Sequence, residues 1–143
     1  MYDVAVIGCG IVGAAAAYEL SRYNCRVLVL EAKNDVANVT TKANSAILHA
    51  GYDPTPGTLM AETNVRGVAL AKELCEKLDV EREEIGSLVL AFGEEDERHL
   101  EKLYQQGLAN GVPGIELLTA DEVHALEPNV SDKVTAALYA PTA

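Results

Sequence analysis

The stretch Val4-Ala-Val-Ile-Gly-Cys-Gly-Ile-Val-Gly-Ala-Ala-Ala-Ala17, followed shortly by Arg26-Val-Leu-Val-Leu-Glu31, decides the fold. Val4 to Ile7 is a short apolar run rich in β-branched residues that stops at a glycine, the pattern of a strand buried on both faces of a parallel sheet. From Ile11 to Tyr23 the chain is alanine-rich and free of proline, which predicts a helix. Arg26 to Leu30 reads as a second buried strand. A strand, a helix and a strand within about 30 residues make a right-handed βαβ unit.

Gly8, Gly10 and Gly13 form G-x-G-x-x-G between that strand and that helix, and the acid Glu31 ends the second strand 18 residues after Gly13. The spacing has a physical reason. Gly8 permits the tight turn, Gly10 admits a pyrophosphate close to the backbone, and Gly13 lets helix and strand pack closely. The N–H groups of the first helical turn, at Ile11, Val12 and Gly13, then face the phosphates. Glu31, with Ala32 beside it, suits both hydroxyls of an adenosine ribose, and its charge repels a 2′-phosphate, which disfavours NADP. The plainer alternatives are a glycine-rich turn without a ligand and an ordinary acid at a strand end.

Outward from this unit, periodicity disappears between Ala32 and Thr58, where Asn, Thr, Pro and Gly punctuate the chain. A short helix near Asn34 is expected to interrupt it. Connections this long are uncommon in compact domains unless functional or disordered, and the apolar insert from Ser45 to Gly51 argues against disorder. The loop also favours FAD over NAD, because an NAD domain would pass promptly into another helix and strand, whereas a longer flavin ligand accounts for a segment running back along it.

Leu59 to Leu78 reads as a helix with Thr58 as N-cap and Gly67, Leu70, Ala71, Leu74 and Leu78 on its apolar stripe. Gly86 to Phe92 reads as a strand. Glu94 to Asn110 is a surface helix with Leu100, Leu103, Tyr104 and Leu108 inward and Gly111 as its stop. Thr119-Ala-Asp-Glu122 is a capping box opening a short helix that Pro128 ends, and Lys133 to Tyr139 is a last strand.

The 143 residues fit one domain and part of another, and 49% hydrophobic with 23% charged residues excludes disorder and fibrous architectures. A net charge of −11, from 22 acidic against 11 basic residues, disfavours nucleic acid and anionic membranes as partners. The acidic excess lies mostly between Glu73 and Glu127 and reads as solvated faces, so an anion site belongs in the first half. Cys9, Cys25 and Cys75 show no C-x-x-C pairing, which suggests a reducing, cytoplasmic setting. No basic region precedes the first apolar run, so no signal peptide is read, and charges interrupt every apolar run before membrane length. No metal ligand set is assigned.

Three stretches, YDVAVIGCGIVGAAAAYELSRY, VLVLEA and TTKANSAILHAGYDPTPGT, resemble the FAD-dependent oxidoreductases of the D-amino acid oxidase superfamily. LLTADEVHALEPNV and ALYAPT are similar to a later segment of the same superfamily, so the resemblance covers nearly the whole chain. TTKANSAILHAGYDPTPGTLMAETNV looks most like bacterial glycerol-3-phosphate dehydrogenases of the anaerobic type, while the related L-2-hydroxyglutarate oxidases share its N-S-x-x-x-H-A-G core.

The resemblance implies an α/β fold, with a Rossmann-like FAD-binding βαβ region over residues 1–80 and the beginning of an α+β substrate domain over 81–143. It further implies that Glu31 binds the adenosine ribose, that Thr40 and Thr41 lie along the pyrophosphate, that Asn44 and Ser45 approach the isoalloxazine, and that His49 sits by the ring face where substrate is oxidised. Superfamily members are longer than 143 residues. The expectation is therefore an N-terminal part, inactive alone, of an enzyme oxidising sn-glycerol 3-phosphate, located in the cytoplasm or at a membrane periphery, with its electron acceptor unassigned. The residues themselves say less about His49. It is the one histidine among apolar neighbours in the loop, suited to taking an alcohol proton or simply to holding the loop by a backbone hydrogen bond. His99 and His124 read as solvated, and Lys42 as either a phosphate contact or an exposed lysine. Rival readings are an L-2-hydroxyglutarate, amine or amino-acid oxidase, a stand-alone NAD-binding module, and a non-catalytic interaction segment.

Overall fold

A computed structural model describes residues 1–143. They divide into two compact units, Met1–Ala46 and Ile47–Ala143.

The first unit is the βαβ unit. Strand β1 (Val4–Ile7) pairs in parallel with β2 (Val27–Leu30), Val4 opposite Val27 and Ile7 opposite Leu30, with helix α1 (Ile11–Leu20) between them in sequence. Asp3 fastens the open end of the pair, its carboxylate accepting the Arg26 N–H at 2.8 Å and the guanidinium at 3.1 and 3.2 Å. The helix stops at Leu20, three residues short of the expected Tyr23, and the expected helix near Asn34 is absent: Ala32–Asn44 is a run of bends and turns. Asp35 Oδ1 accepts the Val36 N–H and Asn44 bonds the Thr40 and Thr41 carbonyls and the Ala46 N–H, local bonds that compete with helix. The strands are not buried on both faces. Val4 and Val6 are half-buried, whereas Ala5 and Ile7 are exposed, because α1 covers one face of a two-stranded sheet and nothing within the unit covers the other.

The second unit holds the core. Helix α2 (Leu59–Leu78) starts where Thr58 caps it, Thr58 Oγ1 accepting the Ala61 N–H at 3.3 Å. Its inward side is Ala61, Val65, Val68, Ala71, Leu74 and Cys75. Of the expected stripe, Ala71 and Leu74 are half-buried, whereas Gly67, Leu70 (44% exposed) and Leu78 face outward, because α3 (Glu94–Asn110) is α2's one partner element and covers only a narrow face. Strands β3 (Ser87–Ala91), β4 (Glu116–Thr119) and β5 (Ala136–Ala140) form an antiparallel sheet in the order β3-β5-β4. β4 is a strand that the sequence pattern does not mark, and β5 begins at Ala136 rather than Lys133.

Alternation along the central strand sorts two cores. Leu138 and Ala140 face Leu100, Leu103, Val112 and Ile115, while Ala137 faces Leu118, Val123 and Val134 around helix α4 (Ala120–Leu126). On α3, Leu100 and Leu103 point inward as expected, Gly107 joins them, and Leu108 is turned out at 49% exposure because it lies off the 100-103-107 row. Gly111 ends α3 in the left-handed conformation, and Thr119 with Glu122 completes the capping box of α4. The division expected at residue 80 concerns function; the compact units part earlier, between Ala46 and Ile47. No helix is long and apolar enough to cross a membrane.

Candidate functional site

In the first unit the glycine turn, the end of β2 and the loop after it enclose one cleft of about 170 Å³, lined by Gly10, Glu31, Ala37, Asn38, Val39, Thr40 and Thr41. Gly8 begins the turn at φ +93, a left-handed conformation that glycine adopts without strain, and its N–H continues the ladder to the Leu30 carbonyl at 2.7 Å. Gly10 is the N-cap of α1 and supplies no side-chain cap; a Cβ there would lie 3.1 Å from Thr41 Oγ1. A Cβ on Gly13 would overlap the Gly8 carbonyl oxygen, so the helix lies directly on the strand. Gly8 thus makes the tight turn and Gly13 the close helix-to-strand packing expected of them.

Glu31 ties this turn to β2. Its Oε2 accepts the Cys9 N–H at 2.7 Å and its Oε1 the Lys33 N–H at 2.9 Å. The Cys9 bond above all, then the Lys33 bond, holds the carboxyl below the usual glutamate range, against a smaller upward push from burial. Glu31 is therefore ionised at neutral pH, and each oxygen keeps a lone pair for a further donor.

The loop is fastened to the helix N-terminus by Thr41, whose Oγ1 accepts the Ile11 N–H at 3.0 Å, and to the glycine turn by the Ala37 N–H, which donates to the Cys9 carbonyl at 2.9 Å. Ala37 is left-handed at φ +57, a conformation that non-glycine residues rarely hold. Asn44 spends its side chain on the loop itself: Nδ2 donates to the Thr40 and Thr41 carbonyls, and Oδ1 accepts the Ala46 N–H at 2.7 Å. Ile11, Val12, Ala32, Thr40, Lys42 and Ser45 are exposed.

The cleft thus brings together Gly10, Glu31, Thr40 and Thr41. It is smaller than the roughly 300–1,000 Å³ of a site that swallows a drug-sized ligand, and suits a ribose and its adjoining phosphates laid against the surface. An ionised carboxylate beside a glycine-capped helix N-terminus offers an acceptor for hydroxyl groups next to N–H donors for phosphates. Sequence spacing did not reveal the Cys9 to Glu31 and Ile11 to Thr41 bonds, which join residues 22 and 30 positions apart.

His49 belongs to the second unit and is exposed there. Its carbonyl accepts from Asn64 Nδ2, while neither imidazole nitrogen bonds within the unit. His49 is thus tied to α2 through its backbone carbonyl and not through its imidazole. The next residues, Ala50 and Gly51, are buried. His99 is exposed, and His124 is half-buried in the last turn of α4 rather than fully solvated, because that turn packs against the sheet.

Fold and cleft define the class, a dinucleotide-binding βαβ unit followed by a mixed α/β unit. The chain belongs to the FAD dependent oxidoreductase family, which matches residues 3–143, and FAD is the cofactor of that family. It is 51% identical over 142 residues to a glycerol 3-phosphate dehydrogenase of Caloramator mitchellensis, covering 99% of this chain and 30% of that protein. It is 36% identical to a mitochondrial L-2-hydroxyglutarate dehydrogenase of Dictyostelium discoideum, covering 92% of this chain and 30% of the relative. The structure of dithionite-reduced L-α-glycerophosphate oxidase from Mycoplasma pneumoniae with FAD bound superposes with a TM-score of 0.88 at 35% identity, over 98% of this chain and 37% of that one. The chain spans about a third of the length of these relatives.

Proposed function

We propose that the full-length protein carrying these residues oxidises sn-glycerol 3-phosphate to dihydroxyacetone phosphate, with residues 1–80 forming its FAD-binding region and 81–143 beginning its substrate domain. The observation that carries the substrate is the 51% identity, over 99% of this chain, to a relative named glycerol 3-phosphate dehydrogenase, against 36% for the hydroxyglutarate relative. FAD, when bound, supplies the hydride acceptor.

The geometry supports the following roles for the chain's residues. The Glu31 carboxylate takes the ribose hydroxyls through the lone pairs that Cys9 and Lys33 leave free. Gly10 lets the pyrophosphate approach, the first-turn N–H groups of Val12 and Gly13 with the Thr40 and Thr41 hydroxyls hold it, the Ile11 N–H being taken by Thr41, and Ala32 lies beside the ribose. Asn44 shapes the loop so that Ser45 is presented toward the ring system. A ring nitrogen of His49, unengaged within its unit, accepts the carbinol proton as the hydride leaves the adjacent carbon. The substrate phosphate calls for arginines or lysines, and this cleft contains none, so its pocket lies elsewhere in the full-length protein. A cytoplasmic location belongs to the same proposal, supported by the three unpaired cysteines.

The test is anaerobic bleaching of the flavin in the full-length protein by glycerol 3-phosphate, with L-2-hydroxyglutarate and a D-amino acid as controls. Fast bleaching by glycerol 3-phosphate alone is expected. Bleaching by L-2-hydroxyglutarate instead would transfer the same residue roles to a hydroxy-acid enzyme.

A further inference from the structure

The segment from Ile47 to Pro54 contains no backbone-to-backbone hydrogen bond, yet Ala50, Gly51 and Pro54 are buried. Buried carbonyls need partners, and side-chain amides from two helices supply them. On α3, Leu103, Gln106, Gly107 and Asn110 recur at helical spacing and share one face. Gln106 Nε2 donates to the Tyr52 and Asp53 carbonyls at 3.2 and 3.3 Å, and Asn110 Nδ2 to the Gly51 and Pro54 carbonyls at 2.9 and 2.8 Å. Four consecutive carbonyls are thus held by two side chains.

Between the two amides, Gly107 has no side chain. A Cβ there would meet Ile115 and lie 3.2 Å from Tyr52 Cβ, so its absence lets α3 lie directly against the loop. From the other side, Asn64 of α2 donates to the His49 carbonyl. Gly51, at φ +107, packs so closely that a Cβ would sit 2.7 Å from Val65.

Asn110 Oδ1 is buried and has no partner. An apolar side chain would avoid that cost, so the residue's contribution lies in its two donors, which fix the loop's conformation. We infer that Asn110, seconded by Gln106 and Asn64, is a positioning residue that sets where the His49 imidazole stands. This rests on the reading of His49 as the proton acceptor.

The experiment uses the full-length FAD-loaded protein in five forms: wild type, His49→Ala, Asn110→Leu, Gln106→Leu, and the double variant His49→Ala/Asn110→Leu. The first readout is independent of turnover. With histidine labelled by ¹⁵N, the His49 ring resonances, assigned by their loss in His49→Ala, shift or broaden in Asn110→Leu and, to a smaller degree, in Gln106→Leu. The second is anaerobic flavin reduction by whichever of glycerol 3-phosphate and L-2-hydroxyglutarate bleaches the wild type. Asn110→Leu lowers the limiting rate about tenfold with less than a twofold change in half-saturating substrate, and the double variant is no slower than His49→Ala, because positioning acts only through the imidazole. Gln106→Leu carries the test if Asn110→Leu does not fold.

Unmoved ring resonances, or losses that multiply in the double variant, overturn the inference. If His49→Ala reduces flavin as fast as wild type, the proton-acceptor reading falls and this inference with it. If His49→Ala is slow while both amide variants match wild type, the positioning inference alone falls.

Discussion

Alanine substitutions at Gly8, Gly10 and Gly13 should rank one way for stability and another for cofactor affinity. At Gly13 the new Cβ would overlap the Gly8 carbonyl oxygen and lie 3.3 Å from Val6 Cγ1. The obstruction is backbone, so α1 must move off β1. Overpacking costs about 1–3 kcal/mol, and an immovable neighbour places this site near the top, while alanine returns up to about 1 kcal/mol of helix propensity. The net is a loss of about 2 kcal/mol. At Gly8 a Cβ meets nothing within 4 Å, and the cost is that of holding alanine at φ +93, about 1–2 kcal/mol. At Gly10, the N-cap, the neighbour is the Thr41 hydroxyl at 3.1 Å, a contact a few tenths of an ångström too close that shifts the Thr41 side chain slightly on its bond to the Ile11 N–H, and exchanging a glycine cap for alanine costs about 0.5–1 kcal/mol.

Affinity should reorder these. Gly10 and Thr41 both line the cleft, so the Gly10→Ala methyl stands where the proposed function puts the pyrophosphate, and FAD affinity should fall about tenfold or more for the smallest stability loss. The assays are urea unfolding of the full-length apoprotein followed by circular dichroism, read as midpoints at constant slope, and FAD titration by flavin fluorescence. Wild-type FAD affinity in Gly10→Ala would refute the placement of the phosphates. Wild-type stability in Gly13→Ala would refute direct packing of α1 on β1.

Other outcomes follow from single sites. Glu31→Gln should weaken FAD binding, because an amide offers one acceptor oxygen where two N–H groups already converge. Since the Glu31 carboxyl is depressed in the folded state, its contribution is full above the ordinary value of 4.5 and is lost as pH falls through the lower folded value. Acid unfolding below about pH 4.5 should therefore be shallower in Glu31→Gln than in wild type. Leu138→Ala, at a fully buried position on the central strand, should cost about 2–5 kcal/mol in chemical unfolding. Thr119→Ala removes the hydroxyl that accepts the Glu122 N–H and should cost about 1 kcal/mol, with α4 more open to hydrogen exchange.

What the sequence made legible was local. Gly8 to Gly13 and Glu31 specify the βαβ unit because strand, turn and helix are each set by neighbouring residues, and Thr58, Gly111 and the Thr119 to Glu122 box mark helix ends through bonds three to five residues long. What escaped depended on partners. Leu70, Leu78 and Leu108 satisfy apolar periodicity yet face outward, since periodicity finds a stripe and not how much of it a neighbour covers. β4 is four residues long with only Leu118 buried, too short for alternation to register. The Val4 to Ile7 run reads as doubly buried, but Ile7 is 77% exposed, since β1 and β2 form a sheet of two.

The loop around His49 shows why such losses are systematic. Its apolar insert correctly argued against a solvated linker, since Ala50 is 1% exposed, but nothing in the insert specifies how it is held. The anchors are Asn64, Gln106 and Asn110, which in sequence look like the polar outer residues of helices, and the bonds from Asn110 span 56 and 59 positions. A polar side chain on a helix carries one of two meanings, solvation or service to a distant carbonyl, and periodicity assigns every such residue to the first. The distinguishing mark is in the loop instead: a segment that buries its backbone without strand or helix must take its hydrogen bonds from side chains. A long aperiodic stretch with an apolar insert is therefore a reason to search the flanking helices for amides at i, i+3, i+4 and i+7, the row on which Gln106, Gly107 and Asn110 lie.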